Sequence, residues 1–373
     1  MKVLIVGAGG YASLYVNEFI KNDNLRENLC GIADPYFKNS PLYPEIIGLN
    51  IPVFDSIEDY YALNKADLTV ISTPPFLHCY QTQYAIKNGS NVLCEKPAAP
   101  TVGEVEEIID CSKKYGKFAA IGFQWSFSDA IQSLKKDILD GVFGNPIELK
   151  TFISWPRNKA YYGRTTGWGG KTFFNGKPLY DSVLSNACAH YMHNMLFVLG
   201  NEMRTSAQIA DVDCTLFRAN DIESFDTCTV KAYTDKGVPT LFVASHAAEI
   251  NRNPEFVYRF ENGTIRYSQN DCKDIVATFN DGETKNYGNP FEKEVKKLYD
   301  CIDSTLKDTV PICTAFTALP HVRLTNMIAK RFEINDFPKD RIRLDEKDNR
   351  IYVKGLYDDL RKAYDTFDLL RIE

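Results

Sequence analysis

The chain has 373 residues, a formal net charge of −6, and 44% hydrophobic and 25% charged residues. That length exceeds the commonest domain size and suits two domains with substantial cores. The acidic balance offers no global basic field for nucleic acid or an anionic membrane, and no apolar run has the length of a membrane span.

The N-terminal "MKVLIVGAGG" carries one lysine and a short apolar stretch running straight into glycines, so it reads as a strand rather than a signal peptide. From there short apolar strands alternate with helical stretches: "KVLIV", a helix from Tyr11 to Lys21, "CGIAD", "LTVIST", "NVLCE" and "FAAIGFQ". This rhythm predicts a parallel sheet of βαβ units. In "TVGEVEEIIDCSKKYG", Thr101 and Glu104 form an expected capping box and Gly116 a C-terminal stop.

The first strand ends in Gly7-Ala-Gly9-Gly10-Tyr11-Ala12, the G-x-G-x-x-A pattern in its proper place between strand and helix. Gly7 permits the tight turn, Gly9 lets the backbone approach a pyrophosphate, and Ala12 keeps the helix close to the strand. The helix N-terminus then favours the phosphates. Asp34 closes the second strand, where a carboxylate accepts from ribose hydroxyls and repels a 2′-phosphate, favouring NAD over NADP. Thr73 and Pro74 leave the "LTVIST" strand at its carboxyl end and join the expected cofactor contacts, as does Gln124 after the last strand. His78 either faces the cofactor or simply begins the next helix; it is included among the expected contacts.

After Gln124 the pattern changes. A helix, "DAIQSLKKDILDG", leads to the strand "IELKTFISW", a loop rich in Gly, Tyr and Lys, and the stretch "SNACAHYMHNMLFVLG". Strands separated by "TDKG", "ENG" and "NDG" follow, predicting consecutive hairpins in an open antiparallel sheet. Two helical stretches, "FEKEVKKLYDCIDSTL" and "TALPHVRLTNMIAKRFE", precede a charged tail with an expected hairpin and helix. The expected division is 1–124, 125–337 and a C-terminal extension, 338–373. Ten cysteines without a CxxC pair fit reduced thiols and a cytoplasmic setting.

Glu95-Lys96-Pro97 at a strand end, together with the G-x-G-x-x-A start, Asp34 and a downstream histidine helix, resembles the Gfo/Idh/MocA oxidoreductases. The resemblance covers roughly the first 125 residues well, continues into the histidine stretch and then fades to architecture. It implies a doubly wound Rossmann domain followed by an α+β domain whose large open sheet often makes oligomer contacts, hence a homo-oligomer (dimer or tetramer). It also places Lys96 near nicotinamide and substrate, where an ammonium beside a hydroxyl can share proton transfer. Glu95 is then expected to orient Lys96 or the cofactor.

At about 100° per residue, a helix through "SNACAHYMHN" gathers Asn186, His190, His193 and Asn194 on one polar stripe, with Cys188 opposite. The opposed cysteine argues against a metal site, so none is expected. In the family this helix usually reads D-x-x-x-H with a further acid three positions on. Here Asn186 stands at the first position, His190 is the histidine, and His193 falls where the later acid would be. His190 is the expected acid/base group, with Lys96 and Asn186 beside it in the catalytic set. Asn186 cannot stabilise an imidazolium as Asp would, and Asp181 compensates only if the helix starts late. In the preceding loop Trp155, Tyr162 and Arg164 are expected substrate contacts, with Lys96, Asn186, His190 and His193.

The reading is an NAD-dependent oxidoreductase moving hydride between nicotinamide and a sugar, inositol or related polyol, His190 and Lys96 handling the hydroxyl proton. Two alternatives stay open: a glycoside hydrolase that recycles its NAD, and a non-catalytic NAD- and sugar-binding sensor.

Overall fold

Val3–Val6 form β1, and all four residues are buried, as a central parallel strand requires. The computed structural model describes residues 1–163 and 167–372. Strands β2 (Leu29–Ala33), β3 (Val53–Phe54), β4 (Leu68–Ile71), β5 (Asn91–Cys94) and β6 (Ala119–Ile121) complete the first sheet. Their order is β3-β2-β1-β4-β5-β6, and every pairing is parallel. The order reverses between β1 and β4, and such a switch point opens a crevice beyond the strands' carboxyl ends. The helix Val102–Tyr115 has the expected capping box, and Gly116 ends it in a left-handed conformation at φ 63°. Strand β3 and the helix Ile57–Leu63, which Ser56 caps, were not among the expected elements.

The chain forms two compact units, 1–127 with 293–319 and 128–292 with 320–373. This redraws the expected division twice. Residues 293–319 return to the first unit because β6 is an edge strand needing a partner: Ile121 N–H donates to Cys313 C=O at 3.0 Å, and Ala120 bridges Thr314. The helix Lys296–Lys307 buries Leu298, Cys301 and Ile302.

In the second unit, β7 (Pro146–Ser154) is followed by a small hairpin, β8 (Phe173–Phe174) and β9 (Lys177–Pro178). The large sheet continues with β10 (Ile209–Arg218), β11 (Thr227–Thr234), β12 (Pro239–Ser245), β13 (Arg252–Phe260) and β14 (Gly263–Ser268). It ends with β15 (Cys272–Phe279), β16 (Thr284–Gly288) and β17 (Ile334–Asp336). Its order is β16-β15-β14-β13-β7-β12-β11-β10-β17. The expected hairpins form on both sides, but β7 inserts between β12 and β13, parallel to the first and antiparallel to the second.

The tail is not a separate extension. Its hairpin, β18 (Ile342–Asp345) and β19 (Arg350–Val353), and its helix Leu356–Thr366 lie on the large sheet. Val353, Leu356, Leu360, Tyr364 and Leu370 share one buried cluster with Phe152, Phe217, Leu241 and Val243. Lys150 Nζ donates to Tyr364 C=O at 2.8 Å, and Leu370 N–H to Thr229 Oγ1 at 2.9 Å. On the other face Asn194 Nδ2 donates to Tyr258 Oη at 3.1 Å. The central strands are therefore covered on both sides. Truncation after Phe337 is expected to remove stability on the order of a whole domain's margin, about 5–15 kcal/mol. Loss of soluble yield and of a cooperative urea transition would show it; an unchanged urea midpoint would contradict it.

Among the described residues no helix is long and apolar enough to cross a membrane, and no group of three metal-ligating side chains gathers. None of the ten cysteines lies in a disulfide.

Candidate dinucleotide site and polar cluster

The turn after β1 is built by its glycines. Gly7 has φ 77°, and a Cβ there would come within 2.8 Å of Thr73 Cγ2 and 3.0 Å of the Ser72 carbonyl carbon. Only glycine allows the turns after β1 and β4 to approach so closely. At Gly9 a Cβ would meet nothing within 4 Å, so the backbone faces open space where a ligand can approach. The helix Ala12–Lys21 begins without a capping side chain and without an acid in its first turn, as an anion-binding N-terminus should. Asp34 fixes this loop: Oδ2 accepts from Ala8 N–H and Oδ1 from Tyr36 N–H, both at 2.8 Å. The residues present thus fit a dinucleotide: Gly7, Gly9, Gly10 and Ala12 would lie at its phosphates, and Asp34, whose oxygens each keep a further lone pair, at its ribose.

Thr73 Oγ1 donates to Gln81 Oε1 at 2.5 Å, and Pro74 precedes the helix Pro75–Lys87. His78 is buried in that helix. Its Nδ1 lies 2.7 Å from Pro97 C=O and its Nε2 2.8 Å from Thr73 C=O. Both ring nitrogens therefore face loop carbonyls, a neutral ring donating to one of them, and the buried side chain is tied to the protein rather than placed as the expected cofactor contact. Burial pushes its pKa below the usual histidine value, with the two carbonyls opposing. Gln124 Oε1 accepts from Tyr11 Oη at 3.4 Å.

Lys96, half-buried, follows β5 and enters a cis peptide bond to Pro97. Glu95 before it points inward. Its Oε1 accepts from Tyr15 Oη at 2.6 Å and from Lys297 Nζ at 2.5 Å, and Oε2 lies 3.3 Å from Lys96 N–H. Burial alone would raise its pKa, but the Lys297 ammonium and these hydrogen bonds hold it below the ordinary carboxylate value. Glu95 thus anchors the strand end that carries Lys96; both its oxygens are occupied in that role rather than at the cofactor. Gly122 makes room for it, since a Cβ there would stand 2.6 Å from Glu95 Oε1. Lys297 is 0% exposed, donates also to Gly122 C=O at 3.2 Å, and lies 4.5 Å from the Tyr11 ring centroid. Sequence reasoning missed Lys297 and Tyr15, because "EKEVKKLYD" reads as a solvated helix face.

In the second unit, helix Ala189–Val198 starts later than expected, with Cys188 at its N-cap. A reciprocal turn precedes it: Ser182 N–H donates to Ser185 Oγ at 2.9 Å and Ser185 N–H to Ser182 Oγ at 3.1 Å, and Cys188 N–H then donates to Val183 C=O at 3.0 Å, one residue beyond the α-helical spacing. Asn186 therefore precedes the helix, and the expected four-residue stripe is broken. His193 is 1% exposed, stacks on Phe197 and has its pKa driven well down by burial, with His321 and Lys135 adding to the effect. This corrects its expected substrate contact: it is a core histidine. His190 stays half-buried, edge-on to Tyr191.

The late start brings Asp181 into play. Asn186 Nδ2 donates to Asp181 Oδ1 at 2.7 Å, and Gly170 N–H to Asp181 Oδ2 at 2.6 Å. Because a carboxylate only accepts, the amide's orientation is decided: its nitrogen faces Asp181, and Oδ1 is the acceptor it presents elsewhere. Trp155 Nε1 donates to Asn253 Oδ1 at 2.9 Å, so its indole N–H is committed to the protein. The Tyr162 hydroxyl is buried, and burial, with Asp226 nearby, pushes its pKa up. The expected contact Arg164 lies outside the described residues.

Residues 1–123 match the family model described as "Oxidoreductase family, NAD-binding Rossmann fold" of the Gfo/Idh/MocA group. The chain carries a Gfo/Idh/MocA NAD-binding Rossmann domain. Curated relatives include D-glucoside 3-dehydrogenase of Escherichia coli, 27% identical over 54% of each chain. Glucose-6-phosphate 3-dehydrogenase of Bacillus subtilis is 24% identical over 45% of each. The match spans about half the length of these relatives, or less. Among solved structures, the WlbA dehydrogenase of Bordetella pertussis in complex with NADH and UDP-GlcNAcA has a TM-score of 0.69 at 20% identity, covering 88% of this chain and 95% of its own. Levoglucosan dehydrogenase in complex with NADH has a TM-score of 0.72 at 13% identity, covering 88% and 96%. The fold is therefore shared with these structures well beyond the matched residues.

Proposed function

We propose that the chain is an NAD-dependent oxidoreductase that moves hydride between nicotinamide and a hydroxyl-bearing carbon of a sugar, inositol or related polyol. The observation that carries this reading is the strand-end lysine of the Rossmann domain: Lys96 stands beyond β5 with Glu95 locked behind it by Tyr15 and Lys297. Bound NAD would supply the hydride acceptor. Lys96 would hydrogen-bond the substrate oxygen, and His190 would take the hydroxyl proton near neutral pH. Asn186, turned by Asp181, would offer a neutral acceptor to a substrate hydroxyl. The dehydrogenase names of the relatives, which concern sugars, support the substrate class.

The test is a panel of sugars, glycosides, inositols and polyols with NAD, read by the absorbance of reduced nicotinamide. Lys96→Ala is expected to lower kcat on the best substrate about 10²–10⁴-fold, the range of a lost acid/base group, while NADH still binds. A panel with no oxidised member, or a Lys96→Ala variant as fast as wild type, would sink the reading. NAD-dependent release of free sugar from a glycoside with no net absorbance change would favour the recycling hydrolase instead.

A further inference from the structure

Lys297 does more than neutralise Glu95. It reaches the first unit on the returning segment 293–319, after the chain has built most of the second unit. Its ammonium donates to Glu95 Oε1 after β5 and to Gly122 C=O after β6. The same charge lies 4.5 Å from the ring centroid of Tyr11, the residue between Gly10 and the start of the helix that faces the phosphates, and 5.5 Å from that of Tyr15. One fully buried cation thus joins the segments that follow β1, β5 and β6, three of the loops at the carboxyl ends of the sheet. A desolvated ammonium over an aromatic face is held more strongly than an exposed one, so the Tyr11 contact restrains the phosphate loop. A charge serving only as counter-ion would not need to sit between these loops.

We propose that Lys297 is a positioning residue of the dinucleotide site, fixing Tyr11 in the phosphate loop and Glu95 behind Lys96 in one arrangement. Nucleotide affinity then depends on a side chain outside the contiguous Rossmann sequence. The proposal rests on NAD binding by this domain, and its test separates positioning from structural support.

Glu95→Gln retains an acceptor for Lys297 and Tyr15. Glu95→Gln/Lys297→Met removes both charges together, which leaves no buried charge unpaired. Each is checked for folding by urea denaturation and titrated with NADH by nicotinamide fluorescence. Glu95→Gln leaves the buried ammonium without its carboxylate and is expected to fold less stably; with Lys297 still over the Tyr11 ring, it is expected to bind NADH more tightly than the double variant. The double variant is expected to fold yet bind about tenfold more weakly or worse, the scale of one desolvated cation–π contact. Should it not fold, Glu95→Gln/Lys297→Gln, which keeps a hydrogen bond across the pair, is expected to show the same loss. Equal NADH affinity in the folded double variant and Glu95→Gln would reduce Lys297 to a structural counter-ion. A loss already complete in Glu95→Gln would assign the effect to Glu95. Wild type that binds no NADH would overturn the cofactor assignment, and the proposal with it.

Discussion

Lys297→Met is expected to cost the folded chain about 3–5 kcal/mol, the usual penalty for stranding one partner of a buried ion pair. The ammonium is 0% exposed and the Glu95 side chain 10% exposed, at 2.5 Å, so water cannot replace the lost partner. The sign of the pH dependence follows from Glu95. In the native chain Lys297 holds its pKa below the ordinary value despite burial. The pair's contribution is therefore complete above the unfolded carboxylate pKa and is lost as pH falls through the lower, folded one. In Lys297→Met only the Tyr15 hydrogen bond and the Lys96 charge still oppose burial, so the Glu95 pKa is expected to rise and the variant to regain stability as pH falls from neutral. Urea midpoints across pH measure both slopes. A wild type and a variant with parallel profiles would contradict the pairing.

Asn186→Asp is the second large effect. It would set a carboxylate at hydrogen-bond distance from Asp181, where the amide N–H now points. Two like charges so close are worth about 4 kcal/mol at the effective dielectric of a protein surface, and one of the pair would bind a proton instead. The variant is expected to lose about 2–4 kcal/mol near neutral pH on that Coulomb scale and to recover as pH falls and the shared proton binds. The reciprocal exchange, Asp181→Asn with Asn186→Asp, should restore most of the loss. The amide at 181 can still accept from Gly170 N–H and donate to the carboxylate at 186. Denaturation of the two single variants and the exchange closes the cycle. If the exchange is no more stable than Asn186→Asp, the pair does not govern this turn. If Asn186→Asp instead gains stability and activity, the amide is merely a lost family carboxylate.

Much of this was legible in the residues. The glycine pattern, the strand-ending Asp34 and the capping box at Thr101 all announced local geometry, because each acts over a few neighbouring residues. The reciprocal Ser182–Ser185 turn is equally local, yet the apolar pattern of "SNACAHYMHN" masked it, so Asn186 was placed on a helix it precedes. His78 and His193 show the other limit. An imidazole looks the same in a sequence whether it faces a ligand or two carbonyls, and only packing tells them apart.

The sequence by itself determined the nucleotide-binding domain: a Rossmann start, a strand-ending carboxylate and a strand-end lysine, all written in short-range spacing at the ends of parallel strands. The tertiary structure decided what depends on distant partners. It chose Lys297 as the counter-charge of Glu95, inserted β7 between β12 and β13, laid the charged tail over the sheet, and turned the Asn186 amide toward Asp181. These are choices made by burial, since a charge or an apolar face removed from water must find its complement wherever the chain can bring one.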